Sequence, residues 1–202
     1  MIELGRIRLR AWEKEDLRDV HRWENDFQTM LYSRGRPHST VPYSDIDEKY
    51  ENERKNESRM HYIIELRDER KAIGTAVIRK STWSSVNSGN IGTYIDRKYW
   101  NMGLGKEVTL ALLEIAFYFS NFDRCEAYSI EYNTRAHKVL EFCGFKRSGR
   151  MRKGAYVFGK YWDWLYFDIL RDEYFLIRDE KIRDILGKRA EEYLDSVTLN
   201  HG

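Results

Sequence analysis

A pair of glycines, Gly103 and Gly105, stands between a strand pattern that ends at Ile95 and a long helix pattern. Apolar residues then recur at the three- and four-residue spacing of one helix face: Leu104, Val108, Leu112, Ile115 and Phe119. Such a turn exposes unpaired backbone N–H groups at the positive end of a helix dipole, and glycine lets a bulky anion approach them. The sequence therefore predicts an anion-binding turn, with phosphate as its natural ligand.

The spacing of this turn excludes two common phosphate-binding motifs. A Rossmann fingerprint requires a third glycine three residues after the second, and that position is Val108. A Walker loop requires a glycine five residues before the Gly-Lys pair and a Ser or Thr after it, but Trp100 and Glu107 occupy those places. The remaining pattern is R/Q-x-x-G-x-G/A, which residues 100–105 match at the glycine positions.

The rest of the chain mixes strand and helix patterns. Predicted strands cover 7–10, 60–66, 72–80, 89–95, 124–130, 145–151 and 160–170. Predicted helices cover 13–23, 44–57, 104–119 and 133–143, and a polar loop carries Pro37 and Pro42. A hairpin-rich first half followed by alternating strands and helices indicates one α/β or α+β domain.

The end of the chain is predicted to be an appended helix over about 171–196. One helical face carries Ile182, Leu186, Arg189 and Tyr193, with many charged residues elsewhere. We expect a domain over 1–170 and a helical extension over 171–202 that packs on the domain or on a second subunit, so that a homodimer is possible.

Composition excludes several other classes of protein. The chain has 35 Lys and Arg against 33 Asp and Glu, without the basic excess that is typical of a dedicated nucleic-acid-binding protein. Two cysteines, Cys125 and Cys143, are too few for a disulfide scaffold. The most apolar run, 110–119, is interrupted by Glu114 and is too short to span a bilayer. We therefore predict a soluble, cytoplasmic protein without a membrane partner.

Three motifs occur in a recognisable order between Ile7 and about Leu170. They are Ile7-x-Leu9-Arg10, then Gly92-x-Tyr94-Ile95 with Tyr99-Trp100 before the glycines, then Asn133 with a helix that ends at Gly144-Phe145. Together they resemble the GNAT N-acetyltransferase superfamily, most closely the branch that includes ribosomal-protein serine and alanine N-acetyltransferases. The resemblance implies a single GNAT-like domain, with a mixed, largely antiparallel central sheet flanked by helices, and acetyl-CoA as cosubstrate.

The same resemblance implies a coenzyme site. The backbone N–H groups from about Asn101 to Lys106 would hold the pyrophosphate, the strand end at Tyr94 and Ile95 would pair with the pantetheine arm, and strand 124–130 would splay away to admit it. The implied coenzyme-binding residues are Tyr94, Ile95, Trp100, Asn101, Met102, Gly103, Leu104, Gly105, Lys106 and Asn133. Of these roles, the residue spacing by itself supports only the anion-binding turn.

Proton transfer is the step for which the sequence departs from the family pattern. The family's frequent acid, a Tyr four residues before Gly-Phe, is Leu140 here, and the Ser that often follows the motif Asn by three residues is Ala136. The remaining catalytic candidates are Tyr94, Glu131 and Tyr132, although a Tyr on a strand is more often a packing residue. We expect both cysteines to be buried packing residues and expect no metal, because the five histidines lack metal-ligand spacing.

Three functions remain open from the sequence. The first is acetyl transfer to a primary amine of a protein N-terminus, a polyamine or a small molecule. The second is an inert acyl-CoA-binding sensor or scaffold, which Leu140 and Ala136 favour, and the third is a nucleotide-binding regulator. Acceptor-selecting residues are expected in loops around 30–45 and 81–88. The aromatic run 160–164 would line an acceptor groove or fill the core, and helix 44–57 would be a solvated face or contact a cationic acceptor.

Overall fold

The computed structural model describes residues 1–34, 40–82 and 84–198. Within these residues one eight-stranded sheet has the order β1-β2-β3-β4-β5-β6-β8-β7. Its strands are β1 Ile2–Leu4, β2 Ile7–Ala11, β3 Arg59–Leu66, β4 Lys71–Lys80, β5 Ser88–Ile95, β6 Arg124–Ile130, β7 Lys146–Val157 and β8 Lys160–Leu170. All neighbouring strands are antiparallel except β5 and β6, which are parallel, so the mixed and largely antiparallel sheet is confirmed.

Helices cover both faces of this sheet. They are α1 Leu17–Glu24, α2 Phe27–Arg34, α3 Tyr43–Arg54, α4 Leu104–Leu113, α5 Thr134–Phe142, α6 Arg171–Leu186 and α7 Ala190–Thr198, and a π-helical segment, Glu114–Phe119, continues α4. On one face α4 buries Val108 and Leu112 completely against the sheet. On the other face α1 and α3 pack Trp23 and Ile46 over Ile63 of β3. The sheet is therefore the middle layer of three.

Several predicted boundaries are wrong. Strand β1 and helix α2 were not predicted, and α2 occupies part of the predicted polar loop, whose Pro37 lies outside the described residues. Helix α3 begins directly after Pro42 and not at Ser44, since proline suits the start of a helix. Strand β7 continues to Val157 because an irregularity between Met151 and Ala155 absorbs the polar residues there.

The long helix patterns are also interrupted. The apolar stripe of α4 stops before Phe119, which is 58% exposed at the end of the π-helical segment. The predicted C-terminal helix breaks at Gly187, whose φ of 55° favours glycine, and a second helix starts at Ala190.

The C-terminal helices pack on the sheet domain of the same chain through one buried carboxylate. Glu114 is fully buried and accepts hydrogen bonds from Arg178 Nε at 2.8 Å and Arg178 Nη2 at 2.7 Å. The hydroxyls of Tyr174 and Tyr193 also donate to it, at 2.6 and 3.3 Å. Because a buried charge requires such partners, α6 and α7 complete the interior around Glu114.

Glu53, near the end of α3, makes the stability of this face depend on pH. His61 and Arg59, the latter donating to the carboxylate at 2.7 Å, lower the pKa of Glu53 to about 2 from an ordinary 4.5. Since the pKa is lower in the folded state, Glu53 stabilises the fold above about pH 4.5, and this contribution is lost as the pH falls toward 2. We expect Glu53→Gln to flatten the decline in melting temperature over this range.

Thermal unfolding of wild type and Glu53→Gln from pH 6 to pH 2 measures this effect. Glu57→Gln, at an exposed position of the adjoining turn, is the matched control and should follow the wild-type curve. Parallel curves for wild type and Glu53→Gln would show that the ion pair has no role in acid stability.

Candidate active site

A wedge opens in the sheet where β5 and β6 part. The two strands pair at only three positions: Ser88 with Arg124, Gly89 with Cys125, and Asn90 with Glu126. β5 then continues along β4 to Ile95, while β6 continues along β8 to Ile130. The predicted divergence of strand 124–130 from its neighbour is confirmed. Main-chain groups of β5 beyond Asn90 therefore face a gap that an extended molecule could fill.

The turn that follows β5 presents free main-chain donors to the mouth of this wedge. Asn101 and Gly103 adopt left-handed conformations, with φ of 62° and 81°. The Lys106 N–H donates to the Gly103 carbonyl at 3.0 Å, whereas the N–H groups of 101–105 have no hydrogen-bond acceptor among the described residues. Five free donors at the start of α4 form the anion-binding geometry that the glycine spacing predicts.

An ion pair between Arg6 and Glu107, which was not predicted, stabilises this turn. The buried Glu107 carboxylate accepts from the backbone N–H of Arg6 at 2.6 Å and from its Nε at 2.7 Å. Nη2 of Arg6 donates to the Met102 carbonyl at 2.8 Å, so an acceptor within the turn is occupied while the donors are free. A Glu within the apolar pattern of the helix is the sequence signal that could have pointed to this contact.

Aromatic side chains and one guanidinium surround a cavity of about 370 Å³ beside the turn. The Trp100 indole donates to the Ile95 carbonyl at 2.7 Å, so that backbone acceptor is already engaged. The Arg135 guanidinium lies 4.0 Å from the Trp100 ring centre and 4.6 Å from that of Tyr32, which belongs to α2. The lining residues are Phe27, Gln28, Leu31, Tyr32, Trp100, Arg135 and Phe158.

The three catalytic candidates are not in one cluster. Tyr94 packs near Trp23 beneath α1; its hydroxyl is buried without a hydrogen-bond partner among the described residues, and burial raises its pKa. The Tyr132 hydroxyl donates to the Leu31 carbonyl at 2.8 Å, and burial raises its pKa to about 12. Glu131 is exposed at the end of β6, where its carboxylate accepts from the backbone of β8 at 3.4 Å.

Asn133 and the two cysteines have structural contacts. Asn133 caps α5, since its side chain accepts from the Ala136 N–H at 3.3 Å and donates to the Tyr32 carbonyl at 3.1 Å. Cys125 and Cys143 are completely buried, and burial raises the pKa of both thiols, that of Cys143 to about 12. The packing interpretation of both cysteines is confirmed, and neither is available as a nucleophile.

The residues of the other predicted features are either packed in the interior or exposed at the surface. In the run 160–164, Trp162 and Trp164 pack against a cluster around Ile130, whereas Tyr161 is exposed. Three expected features lie outside the described residues. They are residues 35–39, which include His38; Trp83, in the second expected acceptor loop; and His201. In the described part of the chain, no group of three or more His, Cys, Asp or Glu is arranged to hold a metal ion, and no helix is long and apolar enough to cross a membrane.

A largely antiparallel sheet that parts between two parallel strands, beside a turn with free donors at a helix start, is the GNAT fold. Residues 6–146 match the family model described as the acetyltransferase (GNAT) domain. Because this match covers more than two thirds of the chain, the protein belongs to the GNAT family. It is an acyltransferase of the N-acetyltransferase type.

Known proteins agree with this assignment. The sequence is 27% identical to the uncharacterized N-acetyltransferase YnaD of Bacillus subtilis over 173 residues, which are 86% of this chain and 98% of that protein. It is 21% identical to spermidine N(1)-acetyltransferase of Vibrio cholerae over 170 residues, which are 84% of this chain and 96% of that protein.

Solved structures show the same fold. The spermidine N-acetyltransferase of Vibrio cholerae in complex with CoA and spermine superposes with a TM-score of 0.76 at 21% identity, over 84% of this chain and 98% of that one. A GNAT acetyltransferase from Bacillus anthracis gives a TM-score of 0.72 at 25% identity, over 85% and 98%. Membership of the ribosomal-protein branch stays a prediction.

Proposed function

We propose that this protein transfers the acetyl group of acetyl-CoA directly to a primary amine. The observation that carries the proposal is the set of free N–H groups over 101–105, placed beside the wedge between β5 and β6. The coenzyme pyrophosphate would accept hydrogen bonds from these groups. The pantetheine arm would follow the free edge of β5 past Tyr94 toward Gly92, so that the thioester would lie between the parting strands.

The chemistry required of the chain is alignment and proton transfer. The amine nitrogen attacks the thioester carbonyl, a C–N bond forms, the C–S bond breaks, the nitrogen loses a proton and the thiolate gains one. The Tyr94 hydroxyl holds its proton at neutral pH, as an ordinary Tyr does, and would supply it to the thiolate. The Tyr132 hydroxyl, by contrast, already donates to the Leu31 carbonyl. Glu131, the one carboxylate among the three candidates, would accept the amine proton.

Conservative substitutions separate the two tyrosines. We expect Tyr94→Phe to lower kcat at least 10-fold with little change in the KM for acetyl-CoA, since general acid catalysis contributes about 10²- to 10⁴-fold. Tyr132→Phe is the matched control and should retain kcat within about 3-fold, because its hydroxyl already donates to a main-chain carbonyl. Initial rates of CoA release measure both, and the opposite order would assign the donor role to Tyr132.

Coenzyme binding and transfer are tested together. CoA at 100 times its Kd should stabilise the fold by about 2.7 kcal/mol, which thermal unfolding detects readily. Incubation with acetyl-CoA and a panel of amines should give acetylated product by mass spectrometry. CoA binding without transfer to any amine would instead support the inert sensor. Stabilisation by ATP and not by CoA would support the nucleotide-binding regulator.

The acceptor has one candidate from the relatives. Likeness to spermidine N-acetyltransferase, at 21% identity, makes a polyamine a possible acceptor. A homodimer also stays a prediction.

A further inference from the structure

Arg79 lies on β4 beside the point where β5 and β6 part. Its register partner is Asn90, the last β5 residue that pairs with β6. The guanidinium crosses Gly92, since a Cβ built on that glycine would lie 3.0 Å from Nη1 of Arg79. Because side chains alternate along a strand, Arg79, Asn90, Gly92 and Tyr94 face the same side of the sheet, which α1 and α3 cover. This side lies opposite α4.

Arg79 has no carboxylate partner among the described residues. Its one hydrogen bond there is made to the Asn90 side-chain oxygen at 3.4 Å. Burial is the main cause that lowers the pKa of Arg79; Tyr128 and Glu53 oppose this effect, while Arg59 and Arg34 add to it. The Arg79 guanidinium is thus partly buried, and nearby cations disfavour its positive charge. A buried charge in such a place is costly unless something pairs with it.

The carboxylates of this region are each committed to another cation. Glu53 accepts from Arg59 at 2.7 Å. Glu126, on the neighbouring strand β6, pairs with Arg124 at 2.5 Å. Glu24 pairs with Arg34 at 2.6 Å and also with Lys49. The positive charge of Arg79 is thus available to a ligand on the side of the sheet that α1 and α3 cover.

We infer that Arg79 binds an anionic group of the acceptor, so that the preferred acceptor is an amine that carries a carboxylate, such as an amino acid, and not a polycation. This inference rests on the proposed acetyl transfer. The planar guanidinium suits a carboxylate because it can donate two parallel hydrogen bonds. A carboxylate bound over Gly92 would place a nearby amine at the vertex of the wedge, within the region that the thioester would reach. A polyamine would bring further positive charge to a place that already has a surplus.

Matched acceptors test the inference in the wild-type protein. An amino acid, its amide and its decarboxylated amine differ only in the anionic group, and spermidine represents the polycations. We expect kcat/KM to be at least about 10-fold higher for the amino acid than for its amide, its decarboxylated amine or spermidine. Peptides that begin with Asp or Glu, assayed in parallel, distinguish a free amino acid from an acidic N-terminus as the source of the carboxylate.

Substitution of Arg79 provides the second arm. Arg79→Gln should remove the preference for the carboxylate, mainly by raising the KM for the amino acid, and Arg79→Lys should retain part of it. Arg18→Gln, at an exposed position of α1, is the control and should keep the wild-type preference. CoA-induced stabilisation should be the same in all variants, because Arg79 lies away from the turn.

The outcomes separate the two proposals. Acetylation of spermidine or the decarboxylated amine at the rate of the amino acid, or an unchanged preference in Arg79→Gln, would overturn the inference and leave the acetyl transfer standing. Absence of transfer to every amine would overturn both. The wild-type comparison is decisive even if Arg79→Gln does not fold.

Discussion

Gly105→Asp is expected to abolish coenzyme binding and leave the fold intact. Gly105 is the second residue of α4, and its N–H is one of the free donors of the turn. A carboxylate there would lie close to the expected pyrophosphate; two like charges 4 Å apart at an effective dielectric constant of about 20 repel by about 4 kcal/mol. We therefore expect CoA to bind at least 100-fold more weakly. The fold should tolerate the change, since an acid in the first turn of a helix is favourable.

Gly105→Ala is the matched control for this prediction. It adds the same Cβ, 3.3 Å from Cγ2 of Val139, without the charge. Its CoA affinity should stay within about 5-fold of wild type, because Val139 needs to move by only a few tenths of an ångström. Calorimetric titration with CoA measures both variants. Wild-type affinity in Gly105→Asp would place the diphosphate elsewhere and remove the basis of the proposed function.

Arg178→Met is expected to produce the largest loss of stability. The change leaves the Glu114 carboxylate, whose side chain is 0% exposed, without its cationic partner. Removing one member of a buried ion pair costs about 3–5 kcal/mol. For a chain of this size each kcal/mol lowers the melting temperature by about 2–4 °C. The expected decrease is therefore about 6–20 °C in a thermal unfolding experiment.

Two further variants show whether the buried charge is the cause. Glu114→Gln combined with Arg178→Met removes both charges but keeps an acceptor oxygen for the Tyr174 hydroxyl, so it should recover at least half of the loss. Arg183→Met breaks an exposed pair with Glu191 on the same helices and should leave the melting temperature unchanged. If the double variant were no more stable than Arg178→Met, lost packing and not the unpaired charge would explain the effect.

The sequence predicted the elements whose signals are local. The strand, turn and helix around Gly103 and Gly105 follow from alternation, glycine and a helical stripe, and the structure has all three. Helix α2 was missed because its buried residues Met30 and Leu31 are adjacent and do not form an amphipathic stripe. Its position depends on contacts such as that of Leu31 with Tyr132, which is 101 residues away in the sequence.

The candidate site was predictable to the same extent. The turn is a local motif, and its free donors follow from the start of a helix. The contacts of Arg6 with Glu107 depend on which strands become neighbours, and one sequence does not specify that. The same holds for Arg79, which contacts Asn90 and has no carboxylate partner among the described residues. Glu107 and Glu114 stand out in the sequence as charges within an apolar pattern. In the structure each is a buried carboxylate that binds an arginine distant in the sequence.

The Glu114 contact couples two distant positions of the chain, residue 114 and Arg178 of α6. A chain truncated before Arg178 would keep the Glu114 carboxylate in its interior without a cationic partner. Truncation of the C-terminal helices should therefore be tolerated better when residue 114 is also made neutral, so that each feature depends on the other.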